Sequence, residues 1–266
     1  MSQEASARGK ACRVALVAGV FLSAFLALAG PARAQYSVTP VIVQLGSGAT
    51  PEARTLQLRN EGEKPLQIRL YTMDFEQSPD GKHTYLPLGE HPRSCRDRLR
   101  VVPDLVTVEP GDVQAVNVHM EPVGSGETCW SMVFAESPSR TRTGVHINLR
   151  IGVKVYGLAG APSLEGEVVD ASVGAVGAAD DEEVRFAFSN HGSWPLRAEG
   201  EIEVRTFDGR LVDTLKVEAF SVLPGHTRHV HVSLGRDLAS GRYLAIPILD
   251  FGGEYLAGSQ VAFRIP

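Results

Sequence analysis

Along most of this chain apolar and polar residues alternate with a period of two, the pattern of strands with one buried face. The run from Val145 to Val155 carries it without a break. Val145, Ile147, Leu149, Ile151, Val153 and Val155 fall on one face, and His146, Asn148, Arg150, Gly152 and Lys154 on the other. Leu56 to Arg59 and Leu66 to Leu70 alternate in the same way, and Val113 to Met120 does so with one slip. Turn signals separate the runs: Pro79-Asp80-Gly81, Glu109-Pro110-Gly111-Asp112, Asp208-Gly209, Leu223-Pro224-Gly225 and Phe251-Gly252-Gly253. No stretch offers a helical period. Short strands with frequent turns predict an all-β sandwich architecture.

An internal repeat predicts two such units. Asn60-Glu61-Gly62-Glu63-Lys64-Pro65-Leu66 returns as Asn190-His191-Gly192-Ser193-Trp194-Pro195-Leu196, sharing Asn-x-Gly-x-x-Pro-Leu. Each copy joins two alternating runs, which suits a connection where Asn and Gly take positive φ and Pro presets the next extended segment. Two further echoes keep the same order: Pro110-Gly111 and Pro224-Gly225 ahead of one strand, Gly126-Glu127 and Gly241-Arg242 ahead of a later one. Three ordered echoes imply two copies of one all-β unit, and the fold class is two tandem immunoglobulin-like β-sandwich domains. The small, Pro-ended segment Gly157 to Ser163 sets the boundary, giving domains at 35–158 and 163–266. Gly174 to Asp181 reads as a loop within the second.

The first 34 residues read differently. Arg8, Lys10 and Arg13 precede an apolar and small-residue run from Val14 to Ala29, followed by Ala32-Arg33-Ala34. That order is a secretory signal peptide, residues 1–34, cleaved before Gln35. The alternative is an uncleaved anchor, but the run falls short of the roughly 20 residues that span a bilayer. No later segment is long and apolar enough to span, so no membrane association is expected after cleavage.

Export changes the reading of charge and cysteine. Without residues 1–34 the chain keeps 22 of its 26 basic and 30 of its 31 acidic residues, a net charge of −8. That balance argues against nucleic acid or an anionic membrane as partner. Cys12 leaves with the signal. Cys95 and Cys129 remain, an even pair in an oxidising compartment, which favours a disulfide over two separate buried thiols.

Candidate chemistry is sparse. His229 and His231 would share a strand face near His226, but no Cys or well-placed carboxylate completes a metal set, and the three read as a polar outer face. Ser131 lacks a Gly-x-Ser-x-Gly setting, and no phosphate loop, nucleotide fingerprint or acid–base pair occurs. The expectation is a binding protein without cofactor or metal, not an enzyme.

Residues 36–156 carry a resemblance. Leu99-Arg100-Val101-Val102-Pro103, then Val108-Glu109-Pro110-Gly111 and an alternating strand, then Cys129-Trp130-Ser131-Met132-Val133-Phe134-Ala135-Glu136, then the long run to Val155, is similar to the N-terminal domain of PapD-like periplasmic pilus-assembly chaperones. The second domain resembles the family only in class and position. The resemblance implies a periplasmic chaperone that lends its last N-domain strand to an incomplete pilin or other surface-fibre subunit, with an outer-membrane usher as a further partner. Strand addition of this kind draws affinity from backbone bonds and specificity from alternate side chains. It implies Val145, Ile147, Leu149 and Ile151 as donor residues. The same apolar face would also serve ordinary core packing, although eleven alternating residues exceed the usual strand. The family holds the client carboxylate with an Arg on the first strand and a Lys on the long strand. Here Tyr36 to Leu45 holds neither Lys nor Arg, leaving Arg150 and Lys154 as the candidates. That gap favours the alternative, an exported structural or adhesive module without chaperone activity.

Overall fold

The alternating runs are strands, and they sort into two sandwiches. The computed structural model describes residues 35–124, 127–140, 146–176, 181–234 and 238–265, with the backbone alone at 138–140, 146–147, 175–176 and 181. The signal-peptide expectation, and Val145, lie outside the described residues.

The first sandwich contains β1 (Tyr36–Thr39), β2 (Ile42–Leu45), β3 (Glu52–Asn60), β4 (Leu66–Gln77), β5 (His83–Leu86), β6 (Leu99–Val102), β7 (Leu105–Val108), β8 (Val113–Met120), β9 (Cys129–Arg140) and β10 (His146–Gly157). One sheet runs β1-β3-β8-β6 and the other β2-β10-β9-β4, with β5 and β7 both against β4. Leu56, Leu58, Val116 and Val118 of the first sheet meet Ile68, Val133, Val153 and Val155 of the second in one buried core. The alternation therefore does what its period requires, because successive side chains point to opposite faces.

The second sandwich contains β11 (Gly166–Val176), β12 (Asp181–Asn190), β13 (Leu196–Thr206), β14 (Leu211–Val222), β15 (Thr227–Ser233), β16 (Gly241–Asp250), β17 (Ala257–Gly258) and β18 (Val261–Ile265). Its sheets are β11-β12-β15 and β14-β13-β16, the latter extended by β17 and β18 on β16. Val184, Phe188, Ile202, Val204, Val222 and Leu249 are buried between them. The architecture is all-β, two tandem immunoglobulin-like sandwiches. Of the segment expected as a loop at Gly174 to Asp181, Gly174 to Val176 belong to β11 and Asp181 to β12, and 177–180 lie outside the described residues.

The repeat has a structural meaning that differs from the expected one. Neither Asn60, Gly62, Asn190 nor Gly192 takes positive φ. The asparagine side chain is instead a buried clamp. Asn60 Nδ2 donates to Lys64 O at 2.7 Å and Val108 O at 2.9 Å, and its Oδ1 accepts from Gly62 N at 2.9 Å. Asn190 repeats every bond: Nδ2 to Trp194 O at 2.8 Å and Val222 O at 2.9 Å, Oδ1 from Gly192 N at 2.9 Å. The Pro-Gly echoes complete the same device. Gly111 N donates to Asn60 O at 3.0 Å and Gly225 N to Asn190 O at 2.9 Å. Both glycines do use positive φ, +78° and +76°. Gly192 is small for another reason: an added Cβ would sit 2.1 Å from Ser163 O.

Loss of either clamp would take the side-chain partner from three backbone groups, two carbonyls and one N–H. Asn190→Ala is expected to cost about 3 kcal/mol, since each buried group left unpaired costs about 1–3 kcal/mol. Urea unfolding measures it, and a loss below about 1 kcal/mol would show that the clamp is not structural.

The first strand is a second departure. The expected continuous strand from Tyr36 to Leu45 breaks at the cis Thr39–Pro40 bond. β1 then pairs antiparallel with β3, and β2 crosses to pair in parallel with β10. Proline lacks the N–H that an unbroken ladder would need, so the chain changes sheets there.

Cys95 and Cys129 form the expected disulfide, with Cα atoms 5.2 Å apart. The bridge pins the excursion between β5 and β6. Buried Asp74 of β4 holds the same excursion by accepting from Gly89 N (2.7 Å), His91 N (3.2 Å) and Ser94 Oγ (2.8 Å), while Ser131 Oγ of β9 donates to it at 2.9 Å.

Candidate functional site

The long strand β10 is paired on one side over its whole length and on the other only at its end. It runs antiparallel to β9 from His146↔Arg140 to Gly157↔Cys129. On its other side β2 covers only Lys154 to Gly157. Among the described residues no strand pairs with that side over 146–153. Lys154 N donates to Val41 O at 2.9 Å and Leu158 N to Leu45 O at 2.7 Å, so the even-numbered backbone groups face this side. By the same alternation the N–H and C=O of Asn148, Arg150 and Gly152 point to the open edge.

The side chains change along the strand. On the apolar face Val153 and Val155 are fully buried, Ile151 is half-buried against the same core, and Leu149 is 36% exposed. The Ile147 side chain lies outside the described residues. The apolar face thus runs out of its own sandwich toward its N-terminal end. Tyr36 of β1 ties this region down, its hydroxyl lying 2.6 Å from Ala135 O and 3.0 Å from Leu149 O. Burial pushes that phenol up to about 12.

The opposite face of β10 looks toward the second sandwich. Arg150 lies over the rings of Phe134 (4.6 Å) and Tyr85 (5.2 Å), a cation–π arrangement. Tyr71 beside it has its phenol raised, first by burial and then by Glu136. Tyr156 is buried, and its hydroxyl has no hydrogen-bond partner among the described residues. Lys154 is half-buried, and burial lowers its ammonium pKa, with Arg228 adding to the effect.

Contacts between the sandwiches form the far wall. Leu223 packs with Phe75, Trp130, Met132, Phe134, Tyr156 and Leu158 in one apolar cluster. Trp194 Nε1 donates to Ala159 O at 3.0 Å, Gln77 Nε2 to Ser221 O at 3.1 Å, and His229 N to Pro79 O at 2.8 Å. The Glu76 carboxylate meets His91 Nε2 at 2.7 Å and His226 Nε2 at 2.9 Å. His91 Nδ1 accepts from Arg93 N, so its Nε2 is the donor. Burial pushes Glu76 up, but the hydrogen bonds from His226 and His91 outweigh it and hold the carboxyl below its ordinary value.

Two functional candidates come from this wall that the sequence did not single out. Arg228 of β15 donates from Nη1 to Pro79 O at 3.1 Å. His83 of β5 is pushed down to about 4, first by burial and then by the charges of Lys154 and Arg228. No local pattern joins Lys154 to Arg228, because the effect of one charge on the other depends on how the two sandwiches sit together. Of the histidine trio, His226 turns to Glu76, His229 lies 3.8 Å from Asp80, and His231 is 2.9 Å from Glu183. They do not converge.

The fold is that of a two-domain immunoglobulin-like protein in which, among the described residues, one side of β10 is unpaired over 146–153. Several solved structures of fimbrial chaperones are similar to it over most of the chain. They include the class 5 fimbriae chaperone CfaA, at 12% identity, 87% of this chain, 99% of that one and a TM-score of 0.47. The YadV chaperone aligns at 9% identity over 86% of this chain and 100% of its own, with a TM-score of 0.48. The CsuC–CsuE chaperone–tip subunit pre-assembly complex of the archaic Csu pili of Acinetobacter baumannii gives 12%, 85%, 98% and 0.45. No protein-family model matches the chain, and no curated protein matches it.

Proposed function

We propose that the protein is a periplasmic chaperone for pilus or other surface-fibre subunits, and that it holds them by β-strand complementation through residues 145–155. The observation that carries this reading is the open edge of β10 over 146–153, combined with an apolar face that passes from buried Val153 through Ile151 to exposed Leu149. An unpaired edge is a template for another chain, and natural proteins usually blunt such edges. Here the edge is long, and Leu149 stands on it. The client class comes from the sequence resemblance of residues 36–156 to PapD-like chaperones. In this reading 35–158 and 163–266 are the two domains, residues 1–34 direct export, and Val145, Ile147, Leu149 and Ile151 fill pockets in the client. Lys154 is the basic residue of β10 placed to meet a client carboxylate, while Arg150 braces the cleft wall over Phe134 and Tyr85. No chemical step is needed, and complex formation uses neither nucleotide nor metal.

Co-expression with an incomplete immunoglobulin-like fibre subunit tests the proposal. The expected result is a co-purified complex in which the subunit resists proteolysis that degrades it when expressed alone. A subunit that is equally stable with and without this protein, and does not co-purify, would favour the structural-module alternative.

A further inference from the structure

His226 sits where the second sandwich meets the first, and both of its ring nitrogens face acceptors. Nδ1 lies 3.1 Å from Pro224 O in its own turn, and Nε2 lies 2.9 Å from Glu76 Oε1 of β4. A carbonyl oxygen can only accept, and so can an ionised carboxylate. One imidazole must therefore donate twice, which only the protonated ring can do. Either neutral tautomer would leave a lone pair aimed at an oxygen.

Both partners are held in place. Asn190 N donates to His226 O at 3.0 Å and His226 N to Leu223 O at 3.0 Å, so the histidine is fixed to the Asn190 connection of the second sandwich. The Trp130 ring lies beside it at 5.9 Å, edge to face, and Leu223 is buried in the apolar cluster that both sandwiches share. On the other side His91 Nε2 donates to Glu76 Oε2 at 2.7 Å, and Arg93 N fixes His91 through Nδ1. That tautomer places a hydrogen on His91 Nε2 where a metal would need a lone pair, so the trio is built for protons.

The other charged groups nearby are turned to partners of their own. On β4, Asp74 shares the Glu76 face, but it accepts from Gly89 N, His91 N, Ser94 Oγ and Ser131 Oγ. Arg93 pairs with Glu127 at 2.9 Å, and His191 beside Asn190 lies 3.5 Å from Glu167. On β15, Arg228 donates to Pro79 O, and His229 lies 3.8 Å from Asp80 with both side chains largely exposed. On β5, His83 pairs in the ladder with Gln77 next to Glu76. On β9 the facing group is the Trp130 ring.

We infer that Glu76 and His226 form a proton-operated latch between the two sandwiches, closed while the imidazole is charged and loosened when it loses its proton. The latch needs an ionised Glu76 and a protonated His226. Burial pushes Glu76 up, but the hydrogen bonds from His226 and His91 hold it below its ordinary value, so it stays charged into the acid range. Falling pH therefore opens the latch only at the acid end, by protonating Glu76, and rising pH opens it by taking the imidazolium proton. The apolar cluster and the bonds made by Trp194, Gln77 and His229 N involve no titrating proton. Opening thus widens the range of arrangements without parting the sandwiches. Those contacts form the wall that faces β10, so pH sets how firmly that wall is held, with or without a client.

Two readings on the whole protein test the latch. Nitrogen-15 NMR of the histidine rings shows which nitrogens carry protons. Spin labels at Val102→Cys and Tyr255→Cys, exposed positions on different sandwiches, report the distance between them. Both His226 nitrogens are expected to be protonated at about pH 5.5 and one of them at about pH 8.5. Across that step the population of loosened arrangements should rise about fivefold, as fits a part-exposed ion pair. Glu76→Gln and His226→Gln should each abolish the step, and His229→Gln and His191→Gln should keep it. A His226 ring that is neutral at the lower pH overturns the latch in the protein without any change to the pair, whatever the variants do. A distance distribution that is the same at both pH values overturns it as well. A step that survives His226→Gln, or is lost in His229→Gln, overturns the assignment to Glu76 and His226.

Discussion

The Ile147→Asp/Leu149→Asp double variant is expected to fold normally and to lose its client. Leu149 is 36% exposed, so a polar residue there should cost the free protein less than about 1 kcal/mol. Ile147 lies two residues further from the buried end of the strand. In a complex, each side chain would fill a pocket worth about 2 kcal/mol, and an aspartate forced into that pocket adds a desolvation cost of several more. Together these should weaken client binding at least about a thousandfold. Val153→Asp is the informative contrast. Val153 is fully buried in the core of its own sandwich, so an unpaired charge there should unfold the domain. The two outcomes separate donation from core packing, which the alternating sequence leaves entangled. Circular dichroism and thermal melting score the fold, and co-purification with a subunit scores capture. A double variant that folds and still captures its client as well as wild type would refute donation through β10.

Removal of the Cys95–Cys129 bridge should have a large effect on stability. The two residues are 34 apart in sequence, and closing a loop of that length is worth about 4 kcal/mol in the chain-entropy account. That is a large share of the ~5–15 kcal/mol typical of a folded protein. The bridge also sits under a tight contact: a Cβ on Gly157 would lie 2.5 Å from Cys129 Sγ, so the end of β10 packs directly on the sulfur. Loss of the bridge would therefore loosen the strand proposed to hold the client, as well as the excursion pinned by Asp74. Cys95→Ser/Cys129→Ser should lose about 4 kcal/mol by urea unfolding, and client capture should weaken at the same time. Both cysteines are buried, so reductant alone should act slowly on the native protein and quickly once urea has opened it. A loss below about 1 kcal/mol would mean that the Asp74 hydrogen bonds hold the excursion without the covalent link.

Much of the architecture is written locally and could be read from the chain. The two-residue period of Leu56 to Arg59, Leu66 to Leu70 and Val145 to Val155 follows from the strand itself. The Asn-x-Gly-x-x-Pro-Leu repeat identifies two like units because each needs the same connection. Its mechanism was less legible. Asn and Gly suggest positive φ in any turn, but Asn60 and Asn190 act through their side-chain amides on carbonyls of distant strands, Val108 and Val222. Only the fold brings those partners near. The division of the first strand is legible only in part, since Pro40 marks a break without saying that β2 crosses to another sheet. The cleft was the least readable feature. Lys154 stands out on its strand, but Arg228 lies on a strand of the second sandwich, and nothing in either segment encodes that the charge of one acts on the other.

The short strand β2 has one more consequence. It occupies the last four rungs of the β10 edge, with Lys154 opposite Ile42 and Gly157 opposite Leu45. A strand joining the same edge cannot slide past that point, so β2 acts as an end stop. In a ladder where a slip of one residue turns every side chain to the wrong face, such a stop sets the phase of whatever docks. The edge therefore limits how far along it a guest strand can run, and a short strand of this protein's own sequence serves as the measure.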